Sequence, residues 1–323
     1  MNVRQVIPRD AIPSIDTPSF DRSYDGPTED EVIVVDLDGE PARAYPIRIL
    51  DYHEVVNDSI GEVPIAVTWC PLCASAVVYE STIDNRRLTF GVSGKLADDD
   101  LVLYDRETGS EWKQSAGTCI DGSLSDRQLE VLPSARTTVS GFLERHDDGK
   151  ILQPIPGAES EAASDDDQPA PVDYSERPYA EYFSSDAVGL AGLRGETGDR
   201  SWERTDLEPK SILLGIEHGG DARGFPLPWV DEAGGILEGT VGGRQVIVVT
   251  TAEGIHAFDD PGFSLERQSA GDGDELVGDG TVWDPVTGTS ADGRSLEAVP
   301  AKRLFAFAWI DDHGADTFVD RRE

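Results

Sequence analysis

The run Thr68-Trp69-Cys70-Pro71-Leu72-Cys73-Ala74-Ser75 carries the most reactive side chains of this sequence. The thiolate is the form of cysteine that attacks and ligates, and a C-x-x-C arrangement can bring the first thiol from about 8.5 into the range of roughly 3.5–7.5. A strand that enters C-P-x-C and leaves through small residues presents two sulfurs from one tight turn. That suits a dithiol redox pair, with Cys70 attacking and Cys73 resolving, or half of a metal site. A structural zinc knuckle would need a second C-x-x-C or a C-x-x-H, and the chain has neither. Gly91-Val92-Ser93-Gly94-Lys95 lacks the G-x-x-x-x-G-K-[ST] spacing that cradles phosphate, so no nucleotide loop is read there.

The elements that must hold the cysteines read as strands. VIVVDL, IAVTW, AVVYE, LVLYD and VIVVTT are short, β-branched and bounded by Gly, Asp or Asn, and Asp38-Gly39, Asp121-Gly122 and Asp292-Gly293 are turn dipeptides. Helical stretches are few: 45–57 after Pro46, then 137–146 and 302–312.

Landmarks recur in one order along the chain. VIVVDLDGEPARAYPI at 32–47 matches ILLGIEHGGDARGFPL at 212–227, and Val67-Thr68 matches Val249-Thr250. Tyr104-Asp105-x-x-Thr108-Gly109 matches Trp283-Asp284-x-x-Thr287-Gly288; Leu129-Glu130-x-x-Pro133 matches Leu296-Glu297-x-x-Pro300; His146 matches His313. The expected architecture is a β-rich α+β fold, two degenerate repeats of a mainly antiparallel β unit packed with pseudo-twofold symmetry. The expected divisions are an N-terminal extension (1–27), a first repeat carrying the site (28–152), an acidic linker and docking segment (153–205), and a second repeat (206–323). Within the linker, 157–173 is acidic, small and Pro-bearing and reads as solvated chain, followed by an aromatic patch from Tyr174 to Phe183 that should dock on one half.

Composition bounds the partners. The 323 residues carry 63 Asp+Glu against 27 Lys+Arg, a formal charge of −36, which repels phosphate backbones and anionic lipid heads. Neither nucleic acid nor a membrane is expected as a partner. Only Lys95, Lys113, Lys150, Lys210 and Lys302 are lysines, and this acidic, arginine-biased surface reads as an adaptation to high salt. With no apolar run of membrane-spanning length and no apolar leader after Met1-Asn2-Val3-Arg4-Gln5, a cytoplasmic location is expected.

Several longer motifs resemble one known family, the domain of unknown function 3179. They are Arg9-Asp10-Ala11-Ile12-Pro13, Ala42-Arg43-Ala44-Tyr45-Pro46, His53-Glu54-Val55-Val56-Asn57-Asp58, Val67-Thr68-Trp69-Cys70-Pro71-Leu72-Cys73, Leu88 to Leu96, Tyr104 to Ser110, and Trp112-Lys113-Gln114. The resemblance spans nearly the whole chain and implies a site around the cysteine pair and the His-Glu-x-x-Asn-Asp stretch, without naming a reaction. Many relatives carry an export or lipoprotein signal, which is not seen here. Cys119 stands where the family pattern has a small residue other than Cys, so it is not taken as a ligand.

On this basis His53 joins Cys70 and Cys73 as a third ligand, giving a set suited to copper(I) or zinc, with the two soft sulfurs tilting it to copper. Glu54, Asn57 and Asp58 then orient the imidazole or cap a helix end. Trp112 and Gln114 are candidates to wall a bound group. The second half keeps the strand and threonine but runs into Ala252-Glu253-Gly254 without cysteines, so one site is expected, built by the first half. Three functions remain open: a thiolate metal site taking a metal or small-molecule ligand, a metal-free dithiol oxidoreductase, and a non-catalytic binding or scaffold protein.

Overall fold

The structure, a computed structural model, describes residues 1–320 apart from 38, 165–167, 197–199 and 271–272. Asp38 of the expected Asp38-Gly39 turn, and 165–167 of the acidic stretch, therefore lie outside the described residues. The β-branched runs form strands as their composition dictates, and among the described residues the strand pairs are antiparallel apart from Arg43–Pro46 with Lys150–Leu152. The fold is accordingly β-rich, with short helices placed at strand ends.

The sheet that carries the cysteines runs in the order Asp221–Pro226, Ile212–His218, Lys302–Phe305, Ser75–Glu80, Val63–Cys70, Val55–Ile60, with Glu130–Val131 also pairing to Ser75–Glu80. It therefore mixes strands from both halves: Arg303 registers on Ala76. A second sheet is built on Ala135–Thr138, Glu31–Val35 and Arg43–Pro46, and a third on Phe90–Ala97, Asp100–Asp105 and Glu111–Lys113. One large apolar core unites them, from Trp69, Phe90 and Trp112 to Phe225, Phe305 and Trp309.

Two hairpins, one in each half of the chain, share local features. The hairpin of Glu31–Val35 and Arg43–Pro46 is flanked by Ala135–Thr138, and the hairpin of Ile212–His218 and Asp221–Pro226 is flanked by Lys302–Phe305. Each hairpin enters a helix through a proline in the same conformation, Pro46 at φ −62, ψ 130 and Pro226 at φ −63, ψ 129. Asp105 and Asp284 each accept the amide of the threonine three residues on. His146 and His313 each pack on a ring four residues back, Phe142 and Trp309, at 4.9 and 4.0 Å.

Helix extents differ from the expectation. The first helix covers Ile47–His53 only, because Glu54 adopts φ 56 and caps it through its N–H to Leu50 O; the β-branched Val55 and Val56 then begin the strand Val55–Ile60. The other two are Val139–Arg145 and Ala306–His313, each preceded by a strand where helix had been expected. Among the described residues no helix is long and apolar enough to cross a membrane.

Candidate functional site

The cysteine turn joins two neighbouring strands of the mixed sheet. Val63–Cys70 and Ser75–Glu80 pair in register from Ile65↔Glu80 to Cys70↔Ser75, leaving Pro71 to Ala74 as the loop. Pro71 has no N–H to strand in this turn, and Ala74 closes it at φ 46, a left-handed conformation that costs an alanine free energy. The turn is fastened from outside: Phe305 N–H donates to Cys73 O at 2.8 Å, and Tyr182 O–H donates to Leu72 O at 2.7 Å. Two distant segments thus fix its shape.

Across from the sulfurs stands Asp100. The hairpin of Phe90–Ala97 and Asp100–Asp105 turns on Asp98 and Asp99, both at positive φ (54° and 69°), the geometry of a type I′ turn. That turn delivers Asp100 as the first residue of the returning strand, 1% exposed. One ligand atom each from Cys70, Cys73 and Asp100 lies within 4.8 Å of the others. Ser115 N–H donates to Asp100 Oδ2 at 2.8 Å, while Asp100 Oδ1 has no partner among the described residues. Ser75 Oγ and Gln114 Oε1, also buried, have none either. Burying polar atoms unpaired is costly, so this concentration around one cysteine turn marks a place short of polar partners.

Electrostatics agree. Burial pushes the Cys70 thiol up and the Cys73 thiol well up, and it holds the Asp100 carboxyl at about 6. Lys113 opposes these shifts at both Asp100 and Cys73, and is itself kept charged by Asp312, to which it is paired at 2.6 Å. Near neutral pH the two thiols therefore keep their protons while the Asp100 carboxyl has largely lost its own, so the group can take a cation by releasing the thiol protons.

Cys70 also lines a cavity of about 800 Å³, with Glu54, Pro71, Leu72, Tyr179 and Tyr182. Its outer wall takes residues 161–164 from the stretch expected to be solvated, and Glu176 to Tyr179, Tyr182 and Leu190 from the segment that follows it. That stretch is ordered where described. Glu159–Ser160 pairs with Ala170–Pro171, and Glu161 N–H donates to Ala11 O. The aromatics beyond dock on the first half, Phe183 stacking on Trp69 at 6.2 Å. Glu54 is 7% exposed, and burial, reinforced by Glu161, Asp51 and Asp100, raises its carboxyl to about 8. At neutral pH it is a neutral acid facing the cavity.

The groups brought together around the two sulfurs do not include His53. His53 ends its helix with both ring nitrogens engaged elsewhere, Nδ1 with Pro13 O at 2.8 Å and Nε2 with Tyr174 Oη at 2.7 Å. The imidazole stacks on Tyr174, and the third potential ligand grouped with the two sulfurs is Asp100. Asn57 bridges Phe90 and Asp16, and Asp58 binds Arg43 and Tyr45, so neither orients His53. Trp112 donates from Nε1 to Asp105 at 3.0 Å and meets Phe90 edge-on, and it forms no part of the cavity wall. Gln114 also lies outside that wall, but its amide holds the cysteine strands through Thr68 Oγ1 and Ser75 O. Cys119 lies apart, donating to Asp121 O. Asp100 is the addition that sequence reasoning did not select; Glu54, read there as orienting His53 or capping a helix end, does cap the helix and also lines the cavity. For Asp100 the available signal was an Asp-Asp turn set between KLA and LVLY.

The family described as "Protein of unknown function (DUF3179)" matches residues 9–316, so the chain belongs to it. No curated protein and no solved structure matches.

Proposed function

For this member of that family we propose a metal-binding protein with its centre at Cys70, Cys73 and Asp100, opening through Cys70 onto the cavity that receives a small molecule. The observation that carries this reading is the convergence of the three donor atoms within 4.8 Å at positions no more than 1% exposed. Two thiolates and one carboxylate, rather than two thiolates and an imidazole, move the preference from copper(I) toward zinc, a borderline ion that takes sulfur and oxygen together. When bound, such an ion supplies a Lewis acid at the cavity wall.

The protein's own groups then have defined tasks. Lys113 offsets the negative charge gathered by three deprotonated ligands. Gln114 and Ser115 hold the two ligand-bearing elements in register, one through Thr68 and the Ser75 carbonyl, the other through Asp100. Glu54 holds a proton at neutral pH where a guest in the cavity can reach it, the requirement for a general acid. The metal-free dithiol reading is weakened by burial, which keeps both sulfurs protonated rather than activated. A reducing, cytoplasmic setting suits three free cysteines. The partners we propose are the metal and a small molecule, since a charge of −36 disfavours nucleic acid and anionic membranes. We read the recurring order of elements as one unit used twice, of which only the first copy carries thiolates.

Elemental analysis of natively purified protein tests the centre. The expected result is about one zinc per chain, lost in Cys70→Ser and Asp100→Asn and kept in Cys119→Ser. Absence of metal from the wild type, together with a reversible Cys70–Cys73 disulfide, would establish the dithiol reading instead.

A further inference from the structure

A second concentration of unpartnered polar atoms lies away from the cysteine turn, and its chemistry is opposite. Arg136 sits in the strand Ala135–Thr138, Arg303 in Lys302–Phe305 and His256 in Ile255–Asp259, so three different sheets each contribute one member. Arg136 and His256 are each 5% exposed, and the Arg303 side chain is 15% exposed. Arg136 Nε and Nη1, Arg303 Nε and His256 Nε2 are buried with no hydrogen-bond partner among the described residues. A methyl group built on Gly254 would meet Arg136 O at 3.3 Å and both Arg136 Cβ and His256 Nε2 at 3.6 Å, so the imidazole lies across Gly254 from the backbone end of Arg136.

The two guanidinium groups converge on one carboxylate. Glu31 Oε1 lies 3.0 Å from Arg136 Nη2 and 3.8 Å from Arg303 Nη2, so two cations share one acceptor. Arg136 also lies over the Trp69 ring at 5.4 Å. The other charges are committed. Asp51 accepts from Trp69 Nε1 and pairs with Arg177, while Glu253 and Asp284 on the His256 side pair with Arg145. Burial and the Arg136 charge lower the Arg303 guanidinium to about 9, and burial lowers His256 to about 4. Guanidinium N–H groups cannot be left without acceptors cheaply, and beyond the Glu31 contact no side chain or carbonyl among the described residues accepts from Arg136 Nε or Nη1 or from Arg303 Nε.

We propose that Arg136 and Arg303, with His256 at their side, bind a small inorganic monovalent anion of chloride size at the junction of the three sheets. An anion there supplies the missing acceptor to both guanidinium groups and relieves the repulsion between them. It acts as an internal pin between the halves, in a molecule whose surface repels anions. This inference does not depend on the metal centre.

The probes are bromide and chloride. Crystals grown in sodium bromide should show one anomalous peak between Arg136 Nε and Arg303 Nε. In solution, thermal unfolding in sodium chloride should show a saturable rise in midpoint over sodium gluconate at matched ionic strength. Arg303→Met should abolish that difference, and Arg303→Lys, which keeps the charge but removes Nε, should reduce it. Ordered water at the site in place of bromide, with the chloride–gluconate difference unchanged in Arg303→Lys, would overturn the proposal.

Discussion

Glu54 offers a test in which the sign and the size both follow from the structure. In an unfolded chain its carboxyl releases its proton near 4.5; in the fold it keeps it to about 8. Between those values the folded state binds more protons than the unfolded one, so stability falls as pH rises. The loss begins near 4.5 and is complete above 8. Each pH unit corresponds to about 1.36 kcal/mol, so the ceiling is about 5 kcal/mol. Because the carboxyl faces a cavity with space for water, we expect about half of that. Glu54→Gln keeps the shape and removes the titration. Guanidinium unfolding of metal-free wild type and variant, at pH 5 and pH 9, should show the variant gaining about 2–3 kcal/mol more at pH 9 than at pH 5. Asp51 and Asp100, both held at about 6, titrate in both proteins and largely cancel from the comparison. An equal gain at the two pH values would refute the claim that Glu54 is a buried, protonated acid.

Three further outcomes are expected. Gly117, at φ 74, would place a Cβ 2.7 Å from the fully buried Tyr79 ring, so Gly117→Ala should cost about 2 kcal/mol or more in chemical unfolding. Tyr182→Phe removes the hydroxyl that donates to Leu72 O and accepts from Gly189 N–H; in a Cys119→Ser background it should speed labelling of Cys70 by a thiol reagent, and an unchanged rate would show that the hydroxyl does not hold the turn closed. Lowering salt from molar to about 0.1 M lengthens the screening distance from about 3 to about 10 Å, so the unfolding midpoint of this chain of charge −36 should fall; a constant midpoint would remove the high-salt reading of the composition.

The cysteine turn was legible because strand alternation on both sides of Cys70-Pro71-Leu72-Cys73 is a local property. Asp100 was not, because one carboxylate among 63 acidic residues carries no local mark; only the fold decides that it faces inward. His53 was misplaced for a backbone reason. A left-handed Glu54 is invisible in composition, yet it ends the helix and sends the imidazole toward Pro13 and Tyr174. Composition also gave no sign that Ser160 is fully buried and that Glu161 to Ser164 line the cavity. The joining of Lys302–Phe305 to Ser75–Glu80 is a long-range pairing that no window of sequence reveals.

That pairing bears on how the centre is made in time. The amide that clamps Cys73 belongs to Phe305, and Asp312, which holds Lys113 and Ser115, closes a bond across 197 positions. A ribosome that has released only the first half has already delivered both sulfurs and Asp100, but not the segments that seal them. Until the last strand is synthesised and docks, the thiols stand open to oxidants and to whatever cation the surroundings hold. Contacts of such long sequence separation also form slowly. Protection of the sulfurs, and for the proposed centre the choice of ion, therefore fall late in assembly, completed by the part of the chain that brings no cysteine of its own.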